Sequence, residues 1–390
     1  MDRSLDSLRS TPPSSRAAVS SVLQARVDIA VAGKFHAFRL ATEFAALSRL
    51  GDLYCAHRSL RPPFGVTRRQ FHNRIDLLAR GAISRLVPLG YTAERHFSNF
   101  DRWITRKLQH KTPGVLHSWN GNSNEVFRKL KNTGWRLCLE RSCPHNQFQF
   151  DLISDESKEI GVTMDQDLAA LDRAIEELYL ADVIVAPSRY SANSYKDPAL
   201  TRKLRINPLG GNVVYQDRRK DRAESPKILM VGNNFLRKGT HYLVEAFLRL
   251  RDPRAELWIR GDVPESYRRR IRDSRITIFP PLLPGRLKKL FESATIFVQA
   301  SIDEGFGMTV FEALGYGLPL VVTENVGAND LLTKSVAVTV PIRDPGAILL
   351  ALESARALPG PEFDAARRQI LDRNTWRNCA LRMLNHIYVE

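Results

Sequence analysis

Short apolar runs of three to six residues, each followed by a stretch with helical spacing, recur from one end of this chain to the other. That alternation constrains the fold more than any other feature of the sequence. Val27-Asp28-Ile29-Ala30-Val31-Ala32 predicts a buried strand, Gly33-Lys34-Phe35-His36 a turn, and Phe38 to Leu50 an amphipathic helix with apolar residues at Leu40, Phe44, Leu47 and Leu50. Further strands are predicted at Val115-Leu116-His117, Arg136-Leu137-Cys138-Leu139 and Val183-Ile184-Val185-Ala186, the last after a helix carrying Leu171 to Leu180. A polar, charged stretch over 216–226 interrupts the pattern and reads as a linker. The series then restarts with Ile228-Leu229-Met230-Val231-Gly232. A helix from Thr240 to Leu250 follows, then strands at Leu257-Trp258-Ile259 and Ile276-Thr277-Ile278-Phe279, a helix near Leu287 to Ser293, and strands ending at Ala300 and at Val322. Short apolar strands in βα order predict parallel sheets covered by helices on both faces. Two such series predict an α/β protein with two Rossmann-like, doubly wound parallel sheets. Ligands of such sheets bind outside the carboxyl ends of the strands, so the cleft between the two is the expected site.

A chain of 390 residues exceeds one ordinary core, which agrees with two domains. The expected division is a mobile tail over 1–20, rich in Ser, Pro and Arg, a first domain over 21–215, a second over 216–370, and a closing helix over 371–390. No run of eighteen apolar residues is present, so no transmembrane helix is expected and the protein is placed in the cytoplasm. Four cysteines, Cys55, Cys138, Cys143 and Cys379, are too scattered for a disulfide framework. Cys138, Cys143 and His145 match no common zinc spacing, and no metal site is expected.

The net charge of +16 is uneven: residues 51–150 carry 17 Lys plus Arg against 6 Asp plus Glu, whereas 151–200 carry 4 against 11. Such a basic surface suits anionic lipid, phosphorylated acceptors or nucleic acid, and sign alone does not choose among them. Arg68, Arg69, Arg74, Arg80 and Arg85 alternate with Leu77, Leu78, Ile83 and Leu86, as in an interfacial helix on an anionic membrane, although core-facing amphipathicity explains the same spacing.

The chemistry concentrates in Glu304-Gly305-Phe306-Gly307-Met308-Thr309-Val310-Phe311-Glu312, directly after a predicted strand. Thr309 to Glu312 alone satisfies a capping box, and Glu304 alone is an ordinary loop acid. Gly305 and Gly307, however, permit positive φ and close backbone approach, which capping does not need. Two carboxylates beside a helix N-terminus suit sugar hydroxyls attached to a phosphate, and a nucleotide sugar satisfies both.

These residues, with the Arg237-Lys238-Gly239 turn, Ala181-Asp182-Val183-Ile184-Val185-Ala186-Pro187-Ser188 and Gly315-Tyr316-Gly317-Leu318-Pro319-Leu320-Val321-Val322, resemble the landmarks of the retaining glycosyltransferases of family 4, which have the GT-B fold. The resemblance implies that Glu304 contacts the donor sugar near its anomeric carbon, that Glu312 holds the ribose, and that Arg237 and Lys238 neutralise the diphosphate as it leaves. It implies that Gly33 and Lys34 approach the diphosphate from the first domain, with Gly232, Asn233, Phe306, Gly307, Met308 and Thr309 completing the donor site. His117 resembles the family histidine that faces the donor sugar. Glu140, Arg141 and His145 resemble the segment that builds the acceptor side. The pattern departs from the family where Asn233 follows Gly232 in place of Arg, and at Gly210-Gly211-Asn212.

The implied activity is transfer of a sugar from a nucleotide diphosphate sugar to a glycan, lipid-linked or small-molecule acceptor, with retention at the anomeric carbon. It needs no metal or other cofactor, and no nucleic-acid partner is expected. The rivals are a sugar-nucleotide epimerase or hydrolase in the same cleft and a non-catalytic basic protein that binds nucleic acid or membrane.

Overall fold

The computed structural model describes residues 26–33, 36–56, 66, 69–71, 93–162, 167–211, 215–217 and 225–389. The expected tail over 1–20, Lys34, Asn212, most of the linker, and Arg68, Arg74, Arg80 and Arg85 lie outside these residues.

Two all-parallel sheets form the frame. The first orders its strands β3-β2-β1-β4-β5-β6-β7, where β1 is Val27–Val31, β2 Leu50–Cys55, β3 Arg69–Phe71, β4 Val115–Trp119, β5 Arg136–Glu140, β6 Val183–Ala186 and β7 Leu204–Ile206. The second orders β10-β9-β8-β11-β12-β13, with β8 Lys227–Val231, β9 Glu256–Arg260, β10 Ile276–Phe279, β11 Ile296–Gln299, β12 Leu320–Thr323 and β13 Ala337–Val340. In each sheet the order reverses beside the first strand of the series (β1/β4 and β8/β11), which opens a crevice at the carboxyl ends there. The central strands are buried throughout because helices cover both faces, and their Val, Ile and Leu runs supply that burial.

The expected strands fall within a residue or two of those observed, while β2, β3, β7 and β13 are additional. The first helix is Ala37–Ala46, shorter than expected, because Ser48 turns the chain at φ 58 and Leu50 opens β2. β2 was obscured by polarity. Its Asp52 is buried beside Asp28 of β1, and Lys111 bridges both carboxylates at 2.7 and 2.6 Å. Arg69, expected on an interfacial helix, instead begins β3.

The chain ends on the first sheet's elements rather than the second's. A helix over Pro361–Arg373 stops at Asn374, Thr375 caps Trp376–Arg382, and a π turn follows over Met383–Ile387. The break therefore comes a few residues after position 371. Gly210 allows this crossing: a Cβ there would meet the backbone N and Cα of Trp376. Arg382 then donates to the Asn207 side chain at 2.7 Å and to the Pro208 carbonyl at 2.7 Å.

Candidate functional site

A cleft of about 340 Å³ lies between the two lobes, lined on the first-lobe side by His36, Trp119, Asn120, Glu140, Arg141, Ser142, Cys143 and Leu209, and on the other by Lys238, Glu304, Phe306, Gly307, Met308 and Thr309. Both walls are built from the carboxyl ends of strands, as the sheet order requires.

On the second-lobe side, the turn after β8 delivers Lys238. Its backbone N–H donates to Asn234 O at 2.9 Å, and Gly239, at φ 59, caps the helix Thr240–Leu248. A Cβ at Gly239 would collide with the Ala300 carbonyl oxygen, so glycine lets this turn press against the end of β11. Lys238 Nζ forms an ion pair with Glu304 Oε2, and Arg237 Nη1 stands 3.6 Å from the same oxygen. The Glu304 side chain is 13% exposed and that of Lys238 8%. Burial alone would raise the Glu304 carboxyl, but Lys238 and Arg237 beside it hold it below its ordinary value. Gly232 makes room for this lysine, because a Cβ there would fall 2.6 Å from Lys238 Cε.

The Glu304 loop is pinned on both sides. Its N–H donates to Asn325 O at 3.1 Å, and its carbonyl accepts from Gly327 N at 2.9 Å. Gly307, at φ 93, is the N-cap of the helix Met308–Gly315, and Thr309 Oγ1 donates to Gln299 Oε1 at 3.1 Å. The capping box read from Thr309 and Glu312 is therefore absent: the N-cap is Gly307, two residues before Thr309, and its N–H donates to the Glu304 carboxylate. Glu312 does not line the cleft. It sits half-buried one turn inside the helix, has no hydrogen-bond partner among the described residues, and is raised above its ordinary value by burial.

Gly305 is one of the points where the lobes touch. Its carbonyl accepts from Ser188 Oγ at 2.7 Å and from Ser191 Oγ at 3.3 Å. A Cβ on it would collide with the Ser142 carbonyl oxygen. Asp303, two residues before it, accepts from Tyr190 OH at 2.8 Å and from the Gln149 amide. The motif thus joins the lobes as well as carrying Glu304.

On the first-lobe wall, Glu140 at the end of β5 is a hub. One carboxylate oxygen accepts from His36 Nε2, from Trp119 Nε1 at 3.0 Å and from Ser142 Oγ at 2.9 Å, and the other lies 3.2 Å from His117 Nε2. Burial would raise this carboxyl, but the two histidines hold it well below the usual carboxylate range. A carboxylate so fully engaged orients its neighbours; it has little capacity left for a substrate hydroxyl. His117 is wholly buried, with its Nδ1 2.8 Å from Tyr388 OH, so neither nitrogen reaches the cleft. The histidine that does line it is His36. Arg141 lines the cleft while donating to Pro144 O at 2.9 Å and Gln149 Oε1 at 2.8 Å. His145 does not line it: its Nδ1 caps the helix Asn146–Ile160, and burial lowers its ordinary value.

Gly33 lies half-buried just past β1. Asn233 is exposed, and its side-chain oxygen accepts from Arg260 Nη1 at 3.0 Å. The cation lacking at 233 is thus present at the same corner, supplied from the end of β9. His36, Trp119, Asn120, Leu209 and Arg260 were not singled out in the sequence. His36 carried a detectable signal, a polar residue in the turn after β1, whereas Arg260 is marked only by strand pairing with Val231.

Residues 225–355 match the family described as glycosyl transferases group 1. The lipopolysaccharide core biosynthesis glycosyltransferase LpsE of Rhizobium meliloti is 30% identical over 161 residues, covering 37% of this chain and 45% of that protein. The chain thus spans under half the length of that curated relative. The sucrose-phosphate synthase of Thermosynechococcus elongatus superposes with a TM-score of 0.69 at 17% identity, covering 92% of this chain and 97% of that one. The catalytic domain of starch synthase IV from Arabidopsis thaliana, bound to ADP and acarbose, superposes with a TM-score of 0.67 at 13% identity, covering 94% and 99%.

Proposed function

We propose that this chain, whose residues 225–355 carry a group 1 glycosyl transferase domain, transfers a sugar from a nucleotide diphosphate sugar to an acceptor hydroxyl with retention at the anomeric carbon. The observation that carries this reading is the joint placement of Lys238, Arg237 and Glu304 beside the helix N-terminus at Gly307. Breaking a sugar–phosphate bond builds negative charge on the departing diphosphate, and fixed cations with unpaired N–H groups stabilise it. Glu304 takes hydroxyls of the donor sugar, and Glu312, just outside the cleft of about 340 Å³ and without a hydrogen-bond partner among the described residues, takes the ribose where the nucleoside extends beyond it. Lys238 leaves its ion pair for the diphosphate when the donor enters. The chain's own cations then do what a metal would otherwise do, and no cofactor is part of this reading.

With the leaving-group side crowded by cations and Glu140 fully engaged, same-face attack fits best: the acceptor oxygen bonds to the anomeric carbon as the carbon–phosphate-oxygen bond breaks, and the departing phosphate oxygen takes the acceptor's proton. The acceptor enters along the wall of Trp119, Asn120, Arg141 and Ser142. The name of the Rhizobium relative, a lipopolysaccharide core biosynthesis glycosyltransferase, supports a lipopolysaccharide or related glycolipid acceptor. No described helix is long and apolar enough to cross a membrane.

A thermal-shift panel of UDP-, GDP- and ADP-sugars tests the donor reading. A bound donor raises Tm according to its affinity, and no shift with any of the three would contradict it.

A further inference from the structure

We propose that Tyr388, two residues from the chain's end, is a positioning residue for the cleft: through His117 and Glu140 it fixes the ring that His36 presents to substrate. This rests on the glycosyl-transfer reading for its effect on turnover, but the relay itself stands on geometry.

The links run in one direction. Tyr388 OH is 2.8 Å from His117 Nδ1, His117 Nε2 is 3.2 Å from one oxygen of Glu140, and the other oxygen takes His36 Nε2. A carboxylate can only accept, so His117 must carry its proton on Nε2. With the ring proton on Nε2, Nδ1 is the acceptor nitrogen and Tyr388 OH, 2.8 Å away, is its donor. Burial holds the Tyr388 hydroxyl well above its ordinary value, so it stays protonated and keeps that role. Each member thereby sets the proton position of the next, as an outer ligand sets a histidine tautomer elsewhere.

The same terminal segment grips His36 a second way. Trp376 stacks on the His36 ring at 5.4 Å and 21°, while Trp119 meets it edge-on at 5.6 Å. The His36 side chain is only 10% exposed, so its cleft-facing edge is defined by these three contacts. Residues far apart in sequence, 36, 140 and 388, thus act as one unit. A chain end that followed the second lobe alone would leave His117 Nδ1 without its donor and the His36 ring without Trp376. The network is buried and satisfied, the condition under which such networks specify one geometry.

The test compares Tyr388→Phe, His117→Leu and His117→Gln in the full chain. Phe keeps the ring that packs against Phe44 and removes only the hydroxyl. Gln keeps an N–H donor and an acceptor at the ring's place, as the His117 tautomer has. With a donor found in the panel above, Tyr388→Phe lowers kcat about tenfold, the effect of one buried hydrogen bond, and leaves affinity for the free nucleoside diphosphate within about twofold. His117→Leu falls further, and His117→Gln recovers most of that loss. Imidazole 15N shifts, read without substrate, show a single Nε2–H form of His117 in wild type and a mixture in Tyr388→Phe. Unchanged kcat, or an unchanged 15N pattern, would overturn the relay. Should the chain bind no nucleoside diphosphate, the glycosyl-transfer reading falls, while the 15N comparison still upholds or overturns the relay.

Discussion

Lys238 and Glu304, 66 residues apart in sequence, form an ion pair on the second-lobe wall of the cleft, with the glutamate 13% exposed. A pair this poorly solvated costs desolvation energy that Coulomb attraction repays only in part. An arriving diphosphate offers the lysine a doubly charged partner and releases the glutamate toward sugar hydroxyls. The pair thus holds both side chains in place for different parts of one ligand.

Replacing Lys238 by Ala removes the nearer cation and leaves Glu304 with Arg237 at 3.6 Å. Turnover is expected to fall at least about 100-fold, as for loss of one oxyanion donor, and diphosphate affinity to weaken as well. Steady-state kinetics and calorimetric titration check this.

Gly232→Ala should act on the same lysine without touching its charge. The new Cβ would lie 2.6 Å from Lys238 Cε, so the side chain must move. Donor KM is expected to rise with Tm little changed, since the displaced group is a side-chain end. A large drop in Tm with normal KM would contradict this.

Gly305→Ala tests the contact between lobes. The added methyl overlaps the Ser142 carbonyl and strains the Ser188 and Ser191 hydrogen bonds to Gly305 O. The cost is expected at about 1–3 kcal/mol, typical of overpacking, and the lobes should part. Small-angle scattering reads this as a larger radius of gyration, accompanied by loss of transfer.

Two buried carboxylates away from the cleft predict a pH effect on stability. Burial pushes Glu177 up to about 8 and Asp101 up to about 7, against the pull of backbone N–H donors at Ser123 and Gly121 for the first and at Glu125 and Val126 for the second. Both folded values exceed the unfolded ones, so the folded state holds more protons from about pH 4 to 8, and their contribution to stability falls as pH rises through that window. Glu177→Gln cannot ionise. Its Tm deficit relative to wild type is expected to shrink between pH 5 and 8.5, and a deficit that grows would contradict the assignment.

Much of the frame was legible because burial on both sheet faces writes itself as apolar runs: β6 matches its expected bounds, β1 differs by a residue at one end and β8 by a residue at each; the edge strand β10 also matches, on its Ile and Phe residues. β2 was not legible because Asp52 is paid for by a lysine 59 residues away, a contact no local pattern carries. The second-lobe wall was readable for the same local reason: Glu304 and Gly307 lie within one short motif, and Lys238 follows its strand closely. The first-lobe wall was readable only in part, at Glu140 and Arg141. His117 looked like the cleft histidine because it lies on a strand near its carboxyl end, yet Tyr388 and Glu140 occupy both its nitrogens, and that depends on where the chain's last turns fold.

The most direct measurement is a crystal structure of the wild-type protein with the nucleotide diphosphate sugar that gives the largest thermal shift. The account predicts diphosphate oxygens within hydrogen-bond distance of Lys238 Nζ and the Gly307 helix N-terminus, with Glu304 released onto the sugar. A donor bound elsewhere, or one bound with the Lys238–Glu304 pair still closed and the diphosphate facing other groups, would contradict it.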